Sequence, residues 1–417
     1  MSGLVKHFRN TMKGIPQLSN NWGSMITLLD AVLVTGFNFN TITSLSKSST
    51  DAITATINLG TGHGFIDRQV IRITDSTNGW NGDFKVLSAN TNNIIIECTS
   101  EHPISISGTA SCSTAPLDFE LVYSTAVGSS EPKRAYRSTD PDSLRLILLV
   151  HDFCVSGAAA NGAKFAKVGV VSGMSDIDSI VGVQMPFDPN NVNANWGWDG
   201  TYHGWAKWYY ATPEYSYGYD QRSDATSPSD GNRGFYIVSD GVSILLTIDS
   251  GSFCTSLYGV AEFYDYKIQG KNLMLAANGI TGKIEQSRNT YAVPRGGLAV
   301  GCSTSAAYGE GVNQRAKLWY NNIGITNQQN LSQAVGLGFL NNSPSALSIG
   351  NPTIGFYMQY PIIDNLLNFR GILPFARLKL NSSATGETIT ESGIVLSISI
   401  DAQSYGRMDY CLNLEQL

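Results

Sequence analysis

From about residue 50 onward this chain is written in short apolar runs cut by Gly, Asn and Ser turns, and that rhythm restricts it to β structure. DAITATINL alternates apolar and polar residues, as a half-buried strand does. The turn GTGHGF follows, then QVIRI, the turn STNGWNG, and the runs DFKVLSA, NNIIIECTS and ISISGTASCS. Strands of this length at spacings of roughly ten residues make a meander, which closes as a small barrel or sandwich. Asn78-Gly79 and Asn81-Gly82 suit tight hairpin turns, because Gly accepts positive φ, and they bracket Trp80. A compact β module over residues 48–118 is therefore expected.

The same grammar continues beyond it. A strand ending near Ser124 leads through a polar turn to AYRS. The turn Thr139-Asp140-Pro141-Asp142 and the strong run LRLILLVHD come next. AKVGVV, RGFYIVSD, VSILLTID, LYGVAEFYD, GGLAVG, TIGFYMQY and GIVLSISID all read as strands. NQQNLSQAVGLGFL is the best later helix candidate, and its glycines weaken it. The expected fold is mainly β: the small barrel or sandwich module, then a larger antiparallel, sandwich-like body over 119–417 with long loops. That body divides near residue 270 if it holds two subdomains. No fixed-period repeat is visible, which disfavours a solenoid or a propeller.

One segment breaks the pattern. In SNNWGSMITLLDAVLVTGF, Ser19 or Asn20 can cap a helix on which Trp22, Met25, Ile26, Leu29, Val32 and Leu33 recur at helical spacing. Gly36 stands where a helix-ending glycine belongs. A helix of about 15 residues this apolar does not survive alone in water. It must dock, on its own domain or on a neighbouring subunit, and residues 1–47 read as a strand-helix docking segment.

Charge narrows the partners. Charged residues make up 14% of the chain, against about 25% in ordinary soluble domains. Its polar positions hold Ser, Thr, Asn and many of the 42 glycines instead, and such a surface is cheaper to desolvate against neighbours than an ionic one. Abundant β turns account for the same composition. The net charge of −6 forms no basic stripe, so nucleic acid is not an expected partner. The longest apolar stretches, Met25 to Val34 and Leu144 to Val150, are too short to span a membrane. The opening MSGLVKHFRNTMKG lacks the apolar core of a secretory signal, so synthesis in a cytoplasm is expected. Six cysteines, Cys98, Cys112, Cys154, Cys254, Cys302 and Cys411, include no C-x-x-C pair and read as reduced structural thiols rather than zinc ligands.

Candidate chemistry is sparse. Trp196, Trp198, Tyr202, Trp205, Trp208 and Tyr209 crowd into one stretch, followed by Tyr210, Tyr215, Tyr217 and Tyr219. Three readings stand open: a saccharide platform with Asp199 or His203 at its rim, a subunit interface anchored by Trp and Tyr, or a local core under a long loop. Asp188, Asn190, Asn193 and Asp199 offer oxygen ligands without the spacing of a calcium loop, so no metal is expected. There is no G-x-S-x-G elbow, no phosphate-binding glycine loop and no H-E-x-x-H pair. His7, His63, His102, His151 and His203 are isolated, with His63 in a Gly-flanked turn and His151 beside Asp152. Asp176 with Asp178, and Glu262 with Asp265, are the local carboxylate clusters to inspect for glycoside chemistry. No enzyme activity and no cofactor is expected.

Three stretches carry a resemblance. The first has Gly14, Pro16 and Leu18 in a G-x-P-x-L turn, then Leu29-Asp30-Ala31, Leu33-Val34 and Gly36-Phe37. The second is GHGFIDRQVIRITDSTNGWNGDFKVLS, with the pattern G-H-G-F, V-I-x-I, N-G-x-F-x-V. The third is KRAYRSTDPDSLRLILLVHD, with A-Y-R-S-x-D-P-x-S-x-R and a closing V-x-D. In this order, over the first 152 residues, they resemble virion structural proteins of tailed bacteriophages. Phe8 to Lys13 is more polar than that pattern, and His151 stands where an acyclic residue is common. The resemblance implies a structural subunit of the virion, from the tail or baseplate, with other virion proteins and copies of itself as partners. It supplies no catalytic residues. Host-surface glycan binding, or a place in the neck or head decoration, are the alternatives it leaves.

Overall fold

In the strand Thr54–Asn58, Ala55 and Ile57 turn inward while Thr56 and Asn58 face out, as the alternation requires. The computed structural model describes residues 4–152, 165–185, 206–211, 230–249, 256–277, 316–319, 356–363, 369–380, 395–400 and 408–413. Over these residues the protein is mainly β, with one helical segment near the N-terminus.

Seven antiparallel strands form the first sheet, in the order Phe37–Thr41, Ser111–Thr114, Val70–Thr74, Gly82–Ala89, Asn93–Glu97, Thr54–Asn58 and Ser44–Lys47. Ile71, Ile73, Phe84, Val86, Ile94 and Ile96 gather around Trp80, which is fully buried. The two terminal strands are consecutive in the chain, so the sheet curls until its ends meet at Ile42 and Thr43. There the Ile42 amide donates to Ala110 and the Thr43 amide to Asn58, each on its own side of the corner. The result is a curled, open sheet that closes no barrel. Two of its strands, Phe37–Thr41 and Ser44–Lys47, lie N-terminal to residue 48.

The body is built on two further sheets. One is the antiparallel series Gly234–Ser239, Ile244–Asp249, Ser256–Asp265, Gly270–Ala276 and Ala316–Leu318, with Lys6–Arg9 added at the other edge. The second runs Gln184–Met185, Phe165–Val171, Ile147–His151, Lys133–Ser138, Phe119–Ser124, and Ala206–Tyr209 also pairs with Phe165–Val171. Leu148, Val150, Val168 and Trp208 from one sheet share a core with Phe235, Ile237, Leu246 and Tyr258 from the other. On the outer face, Ile147 and Leu149 are covered by Met174, Ile177 and Ile180 of a small hairpin. Burial on both faces is why LRLILLVHD shows a continuous apolar run instead of alternation. A four-stranded sheet, Phe356–Ile363, Phe369–Leu380, Met408–Asn413, Val395–Ile400, completes the described structure. The expected strand GGLAVG and the helix candidate NQQNLSQAVGLGFL lie outside the described residues.

The N-terminal helix is shorter and odder than its spacing predicts. Ser24–Leu29 is α-helical and Asp30–Thr35 continues as a π-helix. The residue at the cap is Gly23, in the left-handed region, with no capping side chain of its own. Ser19 accepts from the Asn21 amide instead, in the turn ahead of the helix. Gly36 closes the helix at φ 74° and ψ −179°, its amide reaching back to Ala31. Only glycine adopts that conformation freely, and a Cβ there would stand 2.6 Å from the carbonyl oxygen of Thr114.

Docking of this helix on a neighbouring subunit is corrected by its packing. Met25, Leu28, Leu29, Val32 and Leu33 are fully buried in the protein's own sandwich core, and Trp22 packs beside Phe165 and Tyr209. The exposed positions are Thr27 and Thr35, so no apolar face is left for a second chain. The hydrophobic excess of the helix is consumed because two sheets, not one, close over it.

Candidate functional site

The stretches that carry the resemblance meet one another in space. Asp30, on the helix, accepts from Arg134 Nε at 3.1 and 3.2 Å and from the Tyr136 hydroxyl at 2.6 Å. Both partners belong to the KRAYRS strand. At its far end the third stretch returns the contact: Asp152 Oδ2 accepts the Met25 and Ile26 amides at 2.9 and 3.2 Å. A carboxylate from a distant strand thus caps the helix that its own sequence leaves uncapped. Its Oδ1 accepts the Tyr210 hydroxyl at 2.6 Å. Burial pushes the Asp152 carboxyl up to about 6, against the pull of these donors.

The second stretch locks to the first. Asn38 Nδ2 donates to the His63 carbonyl at 2.9 Å, and Lys13 Nζ donates to that of Gly62. His63 is itself satisfied, with Nε2 on the Asn90 carbonyl at 2.7 Å and Nδ1 accepting the Phe65 amide at 3.1 Å. That pattern places a ring proton on Nε2, facing the Asn90 carbonyl. The S-x-D-P-x-S-x-R run is a turn in which each named polar residue is used. Asp140 Oδ1 accepts the Asp142 amide at 2.8 Å, Ser143 Oγ accepts the Arg145 amide at 3.2 Å, and Ser138 Oγ donates to Gly241 at 2.6 Å. Arg145 sits at φ 56° and reaches Glu120 at 2.9 Å.

An ionic chain joins the curled sheet to the body. Lys6 Nζ meets Asp83 at 2.5 Å and also donates to the Pro116 carbonyl. Arg72 forks onto Asp83 at 2.6 and 2.9 Å, and onto Asp118 at 2.5 and 2.6 Å. The guanidinium holds the Asp118 carboxyl below its usual range. Two-point Arg–carboxylate pairs fix geometry as well as contributing energy.

Of the crowded aromatics, Trp208 and Tyr209 are placed, and both are interior. Trp208 is fully buried and its indole N–H donates to Ala276 at 3.0 Å, bridging the two sheets of the body. Tyr209 packs its ring on Phe165 at 5.3 Å. With Tyr210 on Asp152, this strand acts as a set of core anchors, so neither Trp208 nor Tyr209 offers a ring face to a glycan or a neighbour. Trp196, Trp198, Tyr202 and Trp205 lie outside the described residues, as do Asp188, Asn190, Asn193, Asp199, His203, Tyr215, Tyr217 and Tyr219.

The titratable candidates are dispersed. Glu262 and Asp265, an odd number of residues apart on one strand, point to opposite faces. Glu262 Oε1 accepts the Leu144 amide at 2.7 Å, its Oε2 is buried without a partner, and burial raises its carboxyl to about 7. Asp265 is bound to Arg370. Asp176 ends an exposed strand of the small hairpin and Asp178 lies in its turn, where it pairs with Lys133 at 2.5 Å. His7 and His151 are buried, and desolvation lowers them to about 4 and about 2. Burial pushes the Cys112 thiol up to about 12 and raises Cys98 as well. Among the described residues no group of three or more His, Cys, Asp or Glu is placed to hold a metal ion.

Asp152, Tyr210 and Arg370 were not singled out as site residues by sequence. Asp152 and Tyr210 act across more than 50 positions of chain, and nothing local marks such a partnership. No family model matches this chain, and no curated protein matches it. Among solved structures, the phage phi92 endosialidase aligns with 89% of this chain and 67% of its own, at 10% identity and a TM-score of 0.17, a likeness that carries no argument.

Proposed function

We propose that this chain is a non-enzymatic architectural subunit of a tailed-bacteriophage particle, built into the tail or baseplate region through contacts with other virion proteins and with copies of itself. The observation that supports it is the mutual locking of the three phage-like stretches. Asp30 takes Arg134 and Tyr136, Asp152 takes the Met25 and Ile26 amides, and Asn38 and Lys13 serve the G-H-G-F turn. The residues carrying the resemblance therefore maintain a scaffold, and a scaffold is what an assembly subunit must keep. The mechanism is presentation: rigid sheets cross-linked by Arg–carboxylate forks hold edges and loops in fixed positions for neighbours. Low charge reduces the desolvation cost of covering such a surface.

The test is direct. Antibody against the chain is applied to density-purified particles, by immunoblot and by gold labelling in negative stain. The expected result is one band in the particles and label at the tail end. Label on the head or neck moves the chain to those positions, and absence from purified particles overturns the proposal.

A further inference from the structure

A second arrangement, unused by the scaffold, stands where the strand Ser256–Asp265 meets Phe369–Leu380. Alternation sends Tyr264 outward and Asp265 inward, and likewise Phe369 outward and Arg370 inward, while Tyr266 is exposed in the turn that follows the first strand. Inward, both charged side chains are fully buried, joined at 2.9 Å (Nε to Oδ1) and 2.5 Å (Nη2 to Oδ2). Asn272 Nδ2 at 2.7 Å and the Lys267 amide at 3.0 Å complete the carboxylate's partners. The Tyr266 amide donates to the Arg370 carbonyl at 2.7 Å. Gly371 permits the approach: a Cβ there would lie 2.4 Å from the Tyr264 carbonyl oxygen and 2.6 Å from the Phe263 ring.

Outward, the staple holds three rings in series. Tyr264 and Tyr266 meet edge to face at 5.3 Å, and Tyr266 and Phe369 stack at 5.4 Å with planes 28° apart. They are 50%, 50% and 48% exposed. Gln269, held at φ 53°, accepts the Tyr264 hydroxyl at 3.2 Å and donates to the Tyr266 carbonyl. Exposed rings forgo the free energy of burial, and a buried ion pair fixes geometry more than it stabilises. Stability therefore does not explain why three rings are held in the open.

Their chemistry selects a ligand. Flat apolar faces lie beside a phenol hydroxyl and an amide, and Lys267, Gln269 and Lys271 around them are exposed. Lysine is depleted at the cores of protein interfaces, which disfavours a protein partner on this patch. We infer that Tyr264, Tyr266 and Phe369 form a saccharide-stacking platform, on which pyranose C–H faces lie while sugar hydroxyls reach Tyr264 and Gln269. The inference does not depend on the chain being part of a virion.

The test uses the full-length protein with cellohexaose as a neutral probe and hexagalacturonate as a carboxylated one, by calorimetry and saturation-transfer NMR. At least one hexamer should bind, with its ring C–H protons receiving the strongest transfer. Tyr266→Ala and Phe369→Ala should each weaken binding about tenfold or more with unchanged circular dichroism. Tyr264→Phe, which keeps the ring and removes the hydroxyl, should cost about threefold. Failure of both hexamers to bind at millimolar concentration overturns the inference. So does equal binding by the two alanine variants, or a self-associated form that Tyr266→Ala dissociates with no sugar binding.

Discussion

Asp152 shows how one buried side chain serves several elements at once. It takes two helix amides and the Tyr210 hydroxyl in a site closed to water. Asp152→Ala should cost about 2–3 kcal/mol, through loss of the cap and of partners for buried donors. Asp152→Asn keeps an acceptor for the amides and removes the buried charge, so it should stay within about 1 kcal/mol of the parent at pH 7. Urea titration of the two variants checks both values. The pH response has two opposing parts. Asp152 and Glu262, raised by burial to about 6 and about 7, bind protons in the folded state first, so their contribution grows as pH falls through those values. His7 and His151, lowered by burial to about 4 and about 2, stay neutral when folded while the unfolded chain protonates below about 6.5. Each histidine then removes about 2 kcal/mol by pH 5. The carboxylates offset this until the unfolded chain's own carboxylates protonate at about pH 4, below which their contribution stops growing while the His151 penalty goes on. Stability should change little from pH 7 to 6 and fall below pH 5. Urea midpoints that rise steadily down to pH 4 would contradict this assignment.

At the scale of elements, the helix was legible and its surroundings were not. Apolar spacing from Met25 to Leu33 marks it, and Gly36 marks its end. Nothing local marks the π-helical second half or the missing cap, and the rescue comes from Asp152, just past a strand more than a hundred residues away. Gly36→Ala forces an unfavourable φ/ψ pair against the Thr114 carbonyl and should cost about 2 kcal/mol or more, read as a fall in the thermal midpoint. Deleting residues 1–40 removes the Lys6–Arg9 edge strand and the helix from the sandwich core. An aggregated or unfolded product is expected, checked by gel filtration and circular dichroism. A soluble, folded remnant would show that the core closes without them.

Across the molecule, charge is rare and placed at junctions. Lys6, Asp83, Arg72 and Asp118 link the curled sheet to the body, and Asp265 with Arg370 links the six-stranded sheet to the four-stranded one. Arg370→Met alone strands a buried carboxylate and should cost about 3–5 kcal/mol. Pairing it with Asp265→Leu should recover most of that loss in thermal unfolding, because the desolvation cost of both ions disappears. A double variant no more stable than the single one would mean that Arg370 acts through other contacts.

Strand and turn chemistry is local, so the sequence by itself determined the mainly β class, the strands from Thr54 to Glu97 and the strand Ile147–His151. Composition alone also announced a chain with few ions to spend on its surface. Which faces those strands cover was decided by tertiary structure. Trp208 and Tyr209 belong to a stretch rich enough in aromatics to be a binding surface, and two sheets closed over them. Tyr264, Tyr266 and Phe369 carry no such density, and the Asp265–Arg370 pair beneath them leaves their rings in the open. Periodicity says which residues share a face. Whether that face meets protein or water depends on contacts between segments far apart in the chain, and those exist only once the sheets have packed.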